Sequence, residues 1–153
     1  MIRILVADDH EFLRWGLVQS LSGQSDMVVV GEVGDSDAAI EASGRLVPDV
    51  LLLDLSMPGG GGWTVLERVL AIRPDACVVI HSAADDAVTV GAALALGARA
   101  HVSKSDGSAR LGDVLRAAVA TMPQGVGAAA SSPDRAGGAE AAGGAAGGDP
   151  GAG

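Results

Sequence analysis

Residues 51–63 read LLLDLSMPGGGGW. Three leucines run into Asp54, after which a proline and the glycines Gly59 to Gly62 end every regular pattern. A buried carboxylate is costly unless it is paired or bound to a cation, so an apolar run that stops on an aspartate predicts a strand whose tip meets water. What else stands at that tip decides the use of Asp54.

Working outward, this stretch is one of five apolar runs of strand length: IRILVAD (2–8), MVVVGEV (27–33), DVLLLD (49–54), ACVVIHS (76–82) and RAHVSK (99–104). Each is short and rich in leucine or β-branched residues, as strands buried on both faces are. Helical stripes lie between them. Leu13, Leu17 and Leu21 follow Asp9 at four-residue spacing, with Gly16 expected to allow close contact with the sheet. Val65, Leu66, Val69 and Leu70 repeat the pattern after Gly62, and Leu111, Val114, Leu115 and Val119 repeat it again near residue 120. Alternating strands and helices predict right-handed crossovers and a doubly wound α/β fold, with a five-stranded parallel sheet covered on both faces.

The chain of 153 residues suits one domain. Its composition changes near Pro123: GVGAAASSPDRAGGAEAAGGAAGGDPGAG, residues 125–153, buries too little apolar surface to offset its ordering entropy. The predicted organisation is a folded domain over residues 1–122 and a Gly/Ala-rich disordered tail or linker over 123–153. The net charge of −9, with only Phe12, Trp15 and Trp63 as aromatic residues, argues against direct nucleic-acid binding. Cys77 sits in an apolar run and reads as a small buried hydrophobe. MIRILVADDH lacks the apolar core of a signal peptide, and no run approaches the roughly 20 apolar residues of a membrane helix. A cytoplasmic protein without membrane contact is expected.

In open α/β sheets the binding crevice lies beyond the carboxyl ends of the strands. Those ends carry Asp8 and Asp9, Asp54, Ser82 and Lys104. Clustered carboxylates raise one another's pKa or recruit a cation, and hard oxygen ligands suit Mg²⁺. A metal and a lysine beside an aspartate suit phosphoryl transfer, with the carboxylate as nucleophile and an aspartyl phosphate as product. Asp54, at the tip of the third strand, is best placed for that role.

VADDH, LLLDLSMPG, VVIHSA and GARAHVSK, in this order and at these spacings, resemble the receiver domain of bacterial two-component response regulators over about the first 120 residues. DDH followed by LRWGL, with DLSMPGGGGW, looks most like the LuxR-type branch. The resemblance implies a flavodoxin-like sheet in the order 2-1-3-4-5. It also implies Asp54 as phosphoacceptor from a sensor histidine kinase, and Mg²⁺ held by Asp9, Asp54 and the Ser56 carbonyl, with Asp8 acting through water. Lys104 would pair with phosphoryl oxygens, and Ser82 and His101 would switch. Beyond Mg²⁺-dependent self-phosphorylation and autodephosphorylation, no enzymatic activity is implied. The face built from DDAVTVGAALALGA and SARLGDVLRAAVA would contact a second copy or a downstream protein.

Several positions depart from the commonest receiver pattern. His101 replaces an aromatic switch residue, often tyrosine, and Ser105 follows Lys104 where many receivers have a cis proline, so a trans peptide is expected. The glycine-rich loop 59–62 is expected to be flexible enough to weaken packing over the site. Ser56 and Ala84 are small, which predicts easy water access and a short-lived phosphate. His10 and His81 read as structural or surface residues rather than ligands. LuxR-type receivers usually continue into a helix-turn-helix, whereas glycine and alanine follow here; a stand-alone receiver and a truncated transcription regulator are equal readings. Rival classes fit less well. Asp54 lacks the second aspartate two residues on that a haloacid-dehalogenase-type phosphatase uses, and no lysine follows the glycines as in a P-loop. Leu13 stands where a cobalamin motif needs glycine. A degenerate receiver or other flavodoxin-like module acting only through protein contacts is the remaining alternative.

Overall fold

The protein is described here from a computed structural model, which covers residues 1–58 and 61–121. Gly59, Gly60 and the stretch 123–153 expected as a tail lie outside the described residues. Ten elements alternate along the chain: β1 (Ile2–Ala7), α1 (Glu11–Ser22), β2 (Met27–Val33), α2 (Ser36–Leu46), β3 (Val50–Leu53), α3 (Gly61–Ile72), β4 (Val78–Ser82), α4 (Ala87–Leu96), β5 (Ala100–Ser103) and α5 (Ser108–Ala120). The strands pair in parallel in the order β2-β1-β3-β4-β5, the doubly wound topology that the alternating runs and the resemblance predict.

Burial explains the central strands. Every residue of β3 and β4 is buried, because helices cover both faces and no position alternates toward water. Helices α1 and α5 pack together, and α2, α3 and α4 form a second packed series. Leu17 and Leu21 of α1, Val65, Leu66 and Val69 of α3, and Leu111 and Leu115 of α5 are the stripe residues that reach the core. Cys77 is a buried free thiol whose pKa burial pushes up, so it is inert packing.

Helix ends follow side-chain chemistry. The Asp35 carboxylate accepts from the Ala38 amide at 2.8 Å to cap α2, and Asp86 accepts from the Thr89 amide at 2.9 Å to cap α4. Gly97 closes α4 at φ 117°, a conformation suited to glycine. Val47 closes α2 at φ 44°, the one non-glycine residue with positive φ among the described residues. Arg3 holds that turn by donating to the Val47 and Leu46 carbonyls at 2.7 and 2.9 Å.

Two expectations need correction. A Cβ placed on Gly16 meets nothing within 4 Å, so this glycine does not bring α1 close to the sheet. It lines a cavity of about 210 Å³ shared with Phe12, Leu17, His81, Lys104 and Leu111. Leu13, the first residue of the α1 stripe, is accordingly exposed. Gly61 and Gly62, which open α3, are buried and geometrically required. Gly61 has φ 59°, and a Cβ on Gly62 would collide with the Asp54 carbonyl oxygen and the Leu55 Cα. At these two positions glycine serves tight packing behind the strand tip, where looseness was the expectation.

Candidate functional site

Parallel strands deliver all their carboxyl ends to one edge, and that edge gathers residues distant in sequence. Asp8 follows β1, Asp54 follows β3, and each is only 1% exposed. Lys104, after β5, reaches across so that its Nζ donates to Asp54 Oδ2 at 2.9 Å and stands 3.0 Å from Asp8 Oδ2. Asp54 Oδ1 is held on the other side by the Ser56 amide at 3.0 Å and the Ser56 hydroxyl at 2.9 Å. Asp8 Oδ1 accepts from the His10 amide at 2.8 Å, which turns the chain from β1 into α1. Arg14 fixes the same turn by donating to the Asp8 carbonyl at 2.6 Å while pairing with Glu32 at 3.1 Å.

These contacts set the protonation states. Burial of Asp54 opposes its charge, but the Ser56 amide, the Lys104 ammonium and the Ser56 hydroxyl outweigh it and hold the carboxyl below its ordinary value. Burial likewise works against the Lys104 charge, and the two aspartates prevail, raising its pKa. An ionised carboxylate held beside an ionised lysine is the state a nucleophilic aspartate needs.

The carboxylates also suit a cation. Ligand atoms of Asp8, Asp9, His10 and Asp54 all lie within 4.8 Å of one another. Asp9 Oδ1 is a buried oxygen that makes no hydrogen bond, and Asp8 Oδ2 is paired with Lys104 at 3.0 Å. Three carboxylates facing one ammonium leave negative charge uncompensated, and a hard divalent cation fits such a donor set.

Ser82 and His101 stand beside this cluster. Ser82 is buried, and its hydroxyl accepts from the Ala84 amide at 3.2 Å. His101 Nε2 lies 3.1 Å from the Ala84 carbonyl, which can only accept, so the ring carries its proton on Nε2. Both residues therefore grip the same peptide segment of the β4–α4 loop. The Lys104–Ser105 peptide is trans, as the missing proline predicts. His81 is buried in β4 and lies in the packing, and burial lowers its pKa. His10 is different. Its side chain is 62% exposed, but Nδ1 turns inward to within 3.4 Å of both Asp8 Oδ1 and Asp9 Oδ1. Sequence reading missed this, since spacing cannot tell which way an exposed side chain faces.

Comparison with known proteins accounts for the arrangement. The sequence profile of the response regulator receiver domain matches residues 4–116. The chain belongs to the response regulator receiver family. It is 33% identical over 118 residues to the transcriptional regulatory protein LiaR of Bacillus subtilis, covering 77% of this chain and 56% of LiaR. The structure of the signal receiver domain of NarL from Mycobacterium tuberculosis superimposes with TM-score 0.74 at 33% identity, covering 78% of this chain and 97% of that one. A LuxR-family two-component response regulator from Aurantimonas sp. SI85-9A1 gives TM-score 0.76 at 27% identity, covering 78% and 86%. This receiver thus falls in the LuxR-type branch, and it spans about half the length of the curated relatives it matches. Receivers are signalling modules of two-component systems, and the acidic pocket of Asp8, Asp9 and Asp54 fits their phosphorylation site. Among the described residues no helix is long and apolar enough to cross a membrane.

Proposed function

We propose that Asp54 accepts a phosphoryl group from a sensor histidine kinase and that residues 1–122 act as a phosphorylation-driven switch. The observation that carries this reading is the convergence of Lys104 on Asp54 and Asp8 at the carboxyl edge of the sheet. An Asp54 carboxylate oxygen attacks phosphorus, the phosphorus–nitrogen bond of the phosphohistidine breaks, and the imidazole leaves with the electron pair. An acyl phosphate results. Asp9, Asp54 and the Ser56 carbonyl would hold Mg²⁺, with Asp8 acting through water, and the ion would supply positive charge to the phosphoryl oxygens. Lys104 supplies the second positive charge and transfers its contacts from carboxylate to phosphoryl oxygen.

Switching follows from the charge added. A phosphoryl group brings about −1.5 to −2 charge and three acceptor oxygens. Ser82 turns its hydroxyl toward them and releases the Ala84 amide; His101, bonded to the same segment, follows. The change favours one of two conformers of the α4–β5–α5 face. That face offers apolar side chains: Val88, Leu94 and Leu96 of α4 are exposed, and Ala93 is the buried residue of that helix. It takes a downstream protein or a second copy, and the protein that carries this receiver serves transcription regulation. Ser56 and Ala84 leave the acyl phosphate open to water, which makes it short-lived; replacing Ser56 by a bulky residue should lengthen its lifetime, and an unchanged lifetime would defeat that explanation.

The central test is intact-protein mass after incubation with acetyl phosphate, with and without Mg²⁺, for the wild type and Asp54→Ala. A Mg²⁺-dependent gain of one phosphoryl group that vanishes in Asp54→Ala supports the reading. No gain under any condition would leave a receiver acting through protein contacts alone.

A further inference from the structure

The β1–α1 turn brings an imidazole nitrogen to a cluster of oxygens. His10 Nδ1 lies 3.4 Å from Asp8 Oδ1, 3.4 Å from Asp9 Oδ1 and 3.9 Å from Asp54 Oδ2. Two ligands about 2.1 Å from a shared ion and at right angles to one another stand about 3 Å apart, so these separations are close to those of atoms around one small cation. The main chain sets the position: the His10 amide donates to Asp8 Oδ1, and the Arg14 contact to the Asp8 carbonyl fixes the turn from behind. A second observation points to a ligand here. Asp9 Oδ1 is buried and makes no hydrogen bond, while Asp8 Oδ2 is already paired with Lys104 at 3.0 Å.

An imidazole changes what such a site prefers. Oxygen ligands alone suit Mg²⁺, whereas imidazole nitrogen favours the later first-row dications, whose affinities for mixed nitrogen and oxygen sites rise toward nickel and copper. We propose that His10 is a ligand of this site, giving it a second class of occupant, a late first-row dication of the cobalt, nickel and zinc kind, held through Nδ1 together with the Asp8, Asp9 and Asp54 carboxylates. The inference rests on the reading of this cluster as a cation site. Magnesium would draw on the carboxylates and the Ser56 carbonyl and not on imidazole nitrogen, so His10 sets selectivity between the two classes. An ion of the second class engages Asp54 as well and competes with Mg²⁺ for the phosphoacceptor.

The test uses the full chain, freed of metal, and Co²⁺ as probe. Titration calorimetry with Co²⁺ and with Mg²⁺ is run on the wild type, His10→Ala and Asp54→Asn, and the Co²⁺ proteins labelled with ¹⁵N-histidine are examined by NMR for contact-shifted imidazole signals. The chain has three histidines, so His81→Ala and His101→Ala complete the assignment. The expected result is one shifted imidazole that disappears only in His10→Ala. Co²⁺ affinity should fall about tenfold or more in that variant. Its Mg²⁺ affinity should change less than its Co²⁺ affinity, so that the ratio of the two shifts toward Mg²⁺. Co²⁺ binding that depends on Asp54 but gives no imidazole shift, or an unchanged ratio of Co²⁺ to Mg²⁺ affinity in His10→Ala, would overturn the role of His10 and leave the receiver site standing. Failure of both ions to bind in an Asp54-dependent manner would overturn the cation site itself, and this inference with it.

Discussion

Replacing Lys104 by methionine should reveal how much of the stability of the fold depends on its site. The lysine side chain is 12% exposed and faces two carboxylates that are almost wholly buried, at 2.9 and 3.0 Å. At an effective dielectric of about 20, each contact is worth roughly 5–6 kcal/mol before the cost of desolvating the charges. Most of that is cancelled by burial, and removing one partner of a buried pair typically costs about 3–5 kcal/mol. Because Lys104 stands at the mouth, where water can partly take its place, we expect a loss of about 3 kcal/mol at neutral pH without Mg²⁺, a large share of the roughly 5–15 kcal/mol that holds a domain together. The loss should shrink with acid. The lowered pKa of Asp54 makes its ionised form contribute stability above the pKa of an unfolded aspartate, and that contribution fades as pH falls through the folded value. In Lys104→Met that contribution is reduced from the start, so the two proteins converge at low pH. Urea unfolding across pH, alone and in an Asp54→Asn background, measures this. A loss under about 1 kcal/mol at neutral pH, or one equal in both backgrounds, would refute the account, since contacting residues should couple by about 0.5–3 kcal/mol.

Further outcomes follow from the backbone. Gly62→Ala forces a Cβ against main-chain atoms of Asp54 and Leu55 that cannot yield like a flexible side chain, and should cost about 2–3 kcal/mol in urea unfolding while slowing acetyl-phosphate labelling of Asp54. Val47→Gly relieves a β-branched residue held at φ 44°, and its midpoint should show a gain of about 1 kcal/mol; a loss would mean that Arg3 binds a turn with little strain. Gly16→Ala sits mid-helix over open cavity, so thermal unfolding should show about 0.5–1 kcal/mol of stabilisation.

Much of this was legible in the chain because each level constrains the next. Continuous apolar runs meant strands buried on both faces; strands separated by helices meant parallel pairing; parallel pairing put Asp8, Asp54, Ser82 and Lys104 on one edge. What escaped depended on direction and distance. Gly16 occupies a helical position where a close approach and an open cavity give the same sequence. Gly61 and Gly62 looked like slack because composition carries no record of φ or of the Asp54 carbonyl beside them. His10 is exposed by area, and only coordinates place its nitrogen among the carboxylates. The run AVTVGAALAL is apolar enough for a core, yet the fold leaves most of α4 facing outward.

The β4–α4 loop is joined to Ser82 through the Ala84 amide and to His101 through the Ala84 carbonyl. Neither bond involves the Ala84 side chain. Residue 84 can therefore drift through nearly any amino acid without severing the connection, and proline alone would delete the donor. A link of this kind is tolerant of mutation and invisible to inspection of side-chain identity at its midpoint. Substitution at position 84 thus leaves the tie between the Ser82 hydroxyl and the His101 imidazole in place.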